Sequence, residues 1–130
     1  MYVAVTRRIQ ISVFPEYSAE RSDPEAGQHV WTYTIEIANM GEVTVQLMSR
    51  HWRITDAHGH VQEVRGPGVV GEQPIIPAGG SFRYTSACPL PTPSGIMAGS
   101  YRMVTEDGVA FDAEVPAFSL DTPHMRRVVN

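Results

Sequence analysis

The sequence predicts an all-β domain, an immunoglobulin- or fibronectin-III-like β-sandwich of about seven antiparallel strands. Apolar residues between chain breakers recur at period two rather than 3.6. The breakers are dense, with 11 Gly and 10 Pro in 130 residues. No stretch carries a convincing amphipathic helical stripe. The length suits one domain with one core, read as residues 1–130, without internal repeats.

From the amino terminus, "AVTRRIQISV" puts Val5, Ile9, Ile11 and Val13 on one parity and reads as a first strand. "SAERSDPEAGQ", residues 18–28, is polar and holds Pro24 and Gly27, so it reads as a loop. "HVWTYTIEIAN" sets Trp31, Tyr33, Ile35 and Ile37 on one face and Thr32, Thr34 and Glu36 on the other, a half-buried strand. "NMGE" reads as a turn in which Gly41 supplies a positive φ. In "VTVQLMSRHWRITD", Val43, Val45 and Leu47 share one parity, and Met48, Trp52 and Ile54 the other. That slip predicts a bulge near Met48 or Ser49, because one extra residue swaps the faces. "DAHG" is a turn, and "SFRYTSA" alternates Phe82 and Tyr84 with Arg83 and Thr85. "CPLPTPSG" is proline-rich and reads as a surface crossover. "GSYRMVTEDGVAFDAEVPAFSL" is a hairpin around Asp107-Gly108, with Pro116 at an edge or a strand end. The tail "DTPHMRRVVN" is expected to be ordered only if it docks.

Composition excludes several functional classes. A formal net charge of -4 argues against a general nucleic-acid binder, which needs excess positive charge. All 10 basic residues are Arg, so there is no P-loop or Schiff-base lysine. Cys88 is the one cysteine, which excludes an internal disulfide and a thiolate zinc cluster. "MYVAVTRRIQ" lacks the apolar run of a signal peptide, and nothing approaches the ~18 apolar residues of a membrane span. The expectation is a cytoplasmic protein without nucleic-acid or membrane partners.

"RGPGVVGEQPIIPAGG" holds the strongest functional temptation, because Gly66, Gly68 and Gly71 spell GxGxxG. A dinucleotide fingerprint needs that turn to open a helix whose amino terminus meets the pyrophosphate. Pro74 and Pro77 forbid such a helix here. A backbone nest for an anion is the milder version, with Arg65 and Arg50 as phosphate forks. The preferred reading is structural: glycines turn an irregular loop while Val69 and Val70 plug the core. Glu72 beside the loop is a candidate general base, although a Glu there more often faces solvent.

His58 and His60 are weak metal candidates, with His51 and Asp56 nearby in sequence. Gly59 breaks their extended geometry, and a structural zinc needs four ligands. Ser81, Ser86 and Ser100 have no G-x-S-x-G elbow around them. Cys88 reads as a small buried hydrophobe, and Trp52 as a core tryptophan.

Several blocks together resemble the ApaG family. They are "RHWRITDAHG", "VRGPGVVGEQPIIPAGGSFRYTSACPL", "PTPSGIMAGSYRMV" and "FDAEVPAFSL", with "GPGVVGEQP" the most specific. The resemblance runs over essentially the whole chain and implies a fibronectin-III-like sandwich. It also implies an association, in bacterial members, with cobalt tolerance and magnesium efflux, and a gene often beside one for a dinucleoside tetraphosphatase. Related domains in eukaryotic F-box proteins and in a polymerase-associated protein look like interaction modules. The family brings no agreed catalytic residues.

The expected function is therefore a non-enzymatic binding module for an unknown protein partner, with no cofactor and no catalytic residue. Self-association into a homodimer through sheet edges is also expected, since no Lys is present to blunt an edge. The alternative is a phosphate- or nucleotide-binding protein, or nucleotide hydrolase, using Gly66, Gly68, Gly71 and Arg65.

Overall fold

A computed structural model of the chain describes residues 1–123. The expectation about the tail falls on residues 124–130 and lies outside the described residues. Nine strands are present among the described residues: β1 (Tyr2–Thr6), β2 (Ile9–Tyr17), β3 (His29–Asn39), β4 (Val45–Asp56), β5 (Val61–Pro67), β6 (Ile75–Ile76), β7 (Ser81–Leu90), β8 (Ser94–Thr105) and β9 (Ala110–Asp121). They form two antiparallel sheets, ordered β1-β2-β3-β7 and β5-β4-β8-β9, with β6 paired to β4. The sheets pack as a β-sandwich around one apolar cluster. The polar loop after β2 contains one turn of 3-10 helix, Pro24–Ala26. No helix among the described residues is long and apolar enough to cross a membrane.

Nine strands stand where about seven were expected. The first expected strand is a hairpin, in which Thr6 pairs with Ile9 around Arg7 and Arg8. Both arginines have positive φ, +46° and +66°. A two-residue loop of this kind matches the strand twist, but it usually advertises itself with Asn-Gly. Its register pairs Val5 with Gln10, so Val5 leaves the core and is 55% exposed. An Arg8→Gly variant should gain about 0.5–1 kcal/mol, because only glycine holds this φ without Cβ strain. A urea midpoint at or below that of wild type would refute this. β5 ends, and β6 lies, within residues 65–80, the segment read as irregular loop.

The central expectations of parity hold. Trp31, Tyr33, Ile35 and Ile37 of β3 are buried. The β4–β8 register shifts between Leu47 and Ser49, which turns Val45 and Leu47, then Trp52 and Ile54, to the same core. Val43 precedes β4 and is exposed. Gly41 is not among the residues of positive φ. The turn is instead held by buried Asn39, whose side chain accepts from the Gly41 N–H at 3.0 Å. It also donates to the carbonyls of Val43 at 2.8 Å and Ile76 at 3.0 Å.

"CPLPTPSG" does cross from one sheet to the other, but only Pro91, Thr92 and Pro93 lie outside the strands. Cys88, Pro89 and Leu90 continue β7, and Ser94 already begins β8. Pro89 is tolerated because β7 is an edge strand. Asp107-Gly108 makes the expected hairpin turn, with Gly108 at φ +88°. Pro116 lies on edge strand β9, which continues through it at a register irregularity opposite Met97 and Gly99.

The two flanks of the sandwich differ. On one, β1 and β2 pack against β9, where the hydroxyls of Tyr2 and Ser119 lie 3.2 Å apart and the Glu114 N–H donates to Thr6 Oγ1. On the other, β5 and β7 end their sheets without pairing to each other.

Candidate functional site

The GxGxxG stretch folds as the end of β5 followed by a tight turn. Val69 and Glu72 exchange backbone hydrogen bonds of 2.8 and 2.9 Å around Val70 and Gly71, whose φ values are +44° and +79°. The Gly68 N–H donates to the Met48 carbonyl at 2.9 Å. The amides of Gly68, Val69 and Glu72 are thus spent within the chain, whereas an anion nest presents successive amides outward. Gly68 has φ +59°, and a Cβ there would stand 2.1 Å from the Glu72 carbonyl oxygen. Val69 is 1% exposed and fills the core as expected. Val70 is 53% exposed, because a two-residue turn throws its first residue outward. A β-branched residue at positive φ is strained backbone. The Glu72 side chain is exposed.

Gly66 is a strand residue rather than a turn residue. It pairs with Arg50 on β4, and a Cβ on Gly66 would meet the Arg50 guanidinium at 3.1 Å. The missing side chain makes room for the guanidinium, whose Nη1 donates to the carbonyls of Pro67 and Gly68, both at 3.0 Å. Arg50 therefore staples the turn. Arg65 pairs with His51, one step along the ladder, and so lies on the opposite face of the sheet. Both residues border one cleft with His51, Ser100, Arg102 and Asp112, but the Arg50 guanidinium is spent on the Pro67 and Gly68 carbonyls, on the face opposite Arg65.

Arg50 lines a cleft at the open flank between β5 and β7. Its walls include Tyr33, Trp52, Gln62, Ser86 and Cys88, and Arg50 is the one charged residue among those lining it. Burial raises the Tyr33 phenol, with Ser86 and Arg50 pulling it back. Behind it, the buried hydroxyls of Tyr84 and Tyr101 are 2.5 Å apart, and burial pushes both phenols up.

Burial likewise pushes the Cys88 thiol up to about 11. Cys88 sits on β7 rather than in a loop, and its buried, protonated thiol fits the reading of a small hydrophobe. The folded state holds this proton more tightly than the unfolded chain. Its contribution is therefore complete below the unfolded thiol value near ~8.5 and is lost as pH rises toward 11. Stability should fall by roughly 1 kcal/mol per pH unit in that window. A Cys88→Ala variant should flatten the slope of urea midpoint against pH. An unchanged slope would refute the assignment.

The histidine candidates organise a turn. Asp56 Oδ1 accepts the backbone N–H groups of His58 at 2.8 Å and His60 at 3.0 Å, while His60 Nδ1 lies 3.3 Å from Oδ2. Burial raises the Asp56 carboxyl, but the backbone bonds from His60 and His58 and the His60 imidazole outweigh it and hold it below its ordinary value. Among the described residues no three His, Cys, Asp or Glu side chains gather as a metal site. His51 lies apart, 3.0 Å from Glu63, whose carboxyl it holds below the usual range by hydrogen bonding. Ser100 faces His51 across the β4–β8 ladder, Ser86 lines the cleft, and Ser81 opens β7.

The sequence pattern of the ApaG domain matches residues 19–105, a span that includes Arg50, the turn and all of β7. The chain belongs to the ApaG domain family. It is 62% identical to Protein ApaG of Azorhizobium caulinodans over 130 residues, covering 100% of both chains. It is 56% identical to Protein ApaG of Brucella suis over the same length, again covering 100% of both. Among solved structures, the putative ApaA protein of Bordetella pertussis superposes with a TM-score of 0.86 at 50% identity, covering 88% of this chain and 94% of that one. The C-terminal domain of wzt, at 12% identity and TM-score 0.55 over 92% of this chain and 76% of that one, shares the fold alone.

The Arg50 staple and its cleft escaped the sequence reading, although a signal for the facing existed. The bulge that turns Trp52 and Ile54 inward also turns Arg50 inward, since all three share parity.

Proposed function

We propose that this ApaG-domain chain is a non-enzymatic binding module for a protein partner. The observation that carries the reading is the open flank, where the edge strands β5 and β7 border a cleft holding one cation. Unpaired strand edges are templates for another chain, and a second copy of this protein is a further candidate for the same edges. In this reading, the cobalt-tolerance and magnesium-efflux association implied by the family works through a partner and not through a bound ion. The nucleotide reading loses support from the amides already spent in the turn and from the Arg50 guanidinium, which is engaged by the Pro67 and Gly68 carbonyls. Thermal melting with ATP, dinucleoside tetraphosphate and magnesium tests both. A ligand at 100 times its Kd stabilises by ~2.7 kcal/mol. No shift is expected, and a saturable shift with either nucleotide would overturn the reading.

A further inference from the structure

Arg50 is a half-buried cation without a counter-ion. Arg65, Arg83 and Arg102 each have a carboxylate within 4.0 Å, and Arg50 has none among the described residues. Taking a cation out of water is unfavourable unless it is paired. Only Nη1 is engaged, by the Pro67 and Gly68 carbonyls. No acceptor among the described residues engages Nε or Nη2, and these two donors form the side-on fork that matches a carboxylate. The carbonyl pair and the gap at Gly66 hold the guanidinium in place before any ligand arrives. The remaining polar groups of the cleft, on Tyr33, Gln62 and Ser86, can all donate.

The cleft opens beside the edge of β7 that no strand among the described residues pairs. Tyr84, Ser86 and Cys88 share the inward parity of that strand, opposite Ile35, Tyr33 and Trp31. A further strand pairing with β7 would turn every second side chain inward, over Arg50. We propose that this flank docks an extended acidic segment of a partner protein. The segment adds as a strand to that edge of β7 and seats one Asp or Glu carboxylate on the Nε–Nη2 side of Arg50. The proposal rests on the binding-module reading and names its site and the chemistry of its partner.

The test is an amide NMR titration of the full chain with two blocked peptides, acetyl-Thr-Val-Glu-Val-Thr-amide and its Gln counterpart. The Glu peptide should shift the amides of residues 82–87 and the Arg50 Nε–H, and bind about tenfold more tightly than the Gln peptide. That preference should vanish in Arg50→Gln and persist in Arg65→Gln on the opposite face. The comparison of Glu and Gln peptides on wild-type protein needs no variant, so it decides even if Arg50→Gln folds poorly. Equal affinities, or no shift at β7 with either peptide, overturn the proposal. Shifts confined to the edges of β1 or β9 overturn it and leave the binding-module reading standing. Saturable shifts of Arg50 with ATP overturn both.

Discussion

Replacing Gly68 with alanine should destabilise the domain by about 3 kcal/mol, the sum of two costs. Holding a Cβ at positive φ costs roughly 1–2 kcal/mol, and Gly68 has φ +59°. The Cβ would also stand 2.1 Å from the Glu72 carbonyl oxygen and 2.8 Å from its carbon. Those are backbone atoms, locked by the two Val69–Glu72 hydrogen bonds, so relief requires the turn to open and pull Val69 from the core. Forcing atoms into a packed site adds about 1–3 kcal/mol. A melting point lower by roughly 10 °C or more is expected at this domain size. Gly71→Ala is the internal control. Its φ is +79°, but nothing lies within 4 Å of the added Cβ, so it should cost only about 1 kcal/mol. Gly66→Ala should act differently again, because the atoms it meets are the far end of the Arg50 side chain. Equal melting of Gly68→Ala and wild type, measured by thermal circular dichroism, would remove the structural account of this glycine.

An alanine at Gly99 should cost at least as much, about 3 kcal/mol or more. Gly99 pairs with Trp52 across the β4–β8 ladder. A Cβ would stand 2.3 Å from the His51 carbonyl oxygen and 2.8 Å from Trp52 Cε3. The indole cannot retreat. Its ring centroid sits 5.6 Å from that of Tyr33 and 6.1 Å from those of Tyr101 and Phe118, in edge-on contacts. Interiors packed like this transmit a displacement rather than absorb it. The expected result is a large loss of stability together with a changed near-ultraviolet spectrum of the tryptophans. Gly108→Ala has open space around the new Cβ and φ +88°, and should show only the backbone cost of about 1 kcal/mol. If Gly99→Ala lost no more than Gly108→Ala, the close approach of β8 to β4 would be wrong.

The Gly99 prediction turns on contacts between residues distant in the chain, and that is where reading the sequence stops. Period two alone placed Trp31, Tyr33, Ile35 and Ile37 inward, and the slip of parity put the β4 bulge near Met48 or Ser49, where the register shifts. Asp107-Gly108 announced its hairpin. These features are legible because alternation along a strand is local: side chains two apart share a face whatever lies opposite. Register across strands is not local. Nothing near Gly66 says that Arg50 will lie against it, or that Arg65 will face the other way. The Arg7-Arg8 turn was hidden because neither residue favours positive φ, and the hairpin is secured by the pairing of its strands. The strand character of "VQEVRGP" was hidden because an exposed edge strand needs no apolar alternation. The all-β fold and its buried faces were therefore determined by the sequence by itself. The purpose of Gly66 and Gly99, the Arg50 staple and the cleft at the open flank were decided only by the tertiary structure, because strand pairing brings together residues that share no local signal.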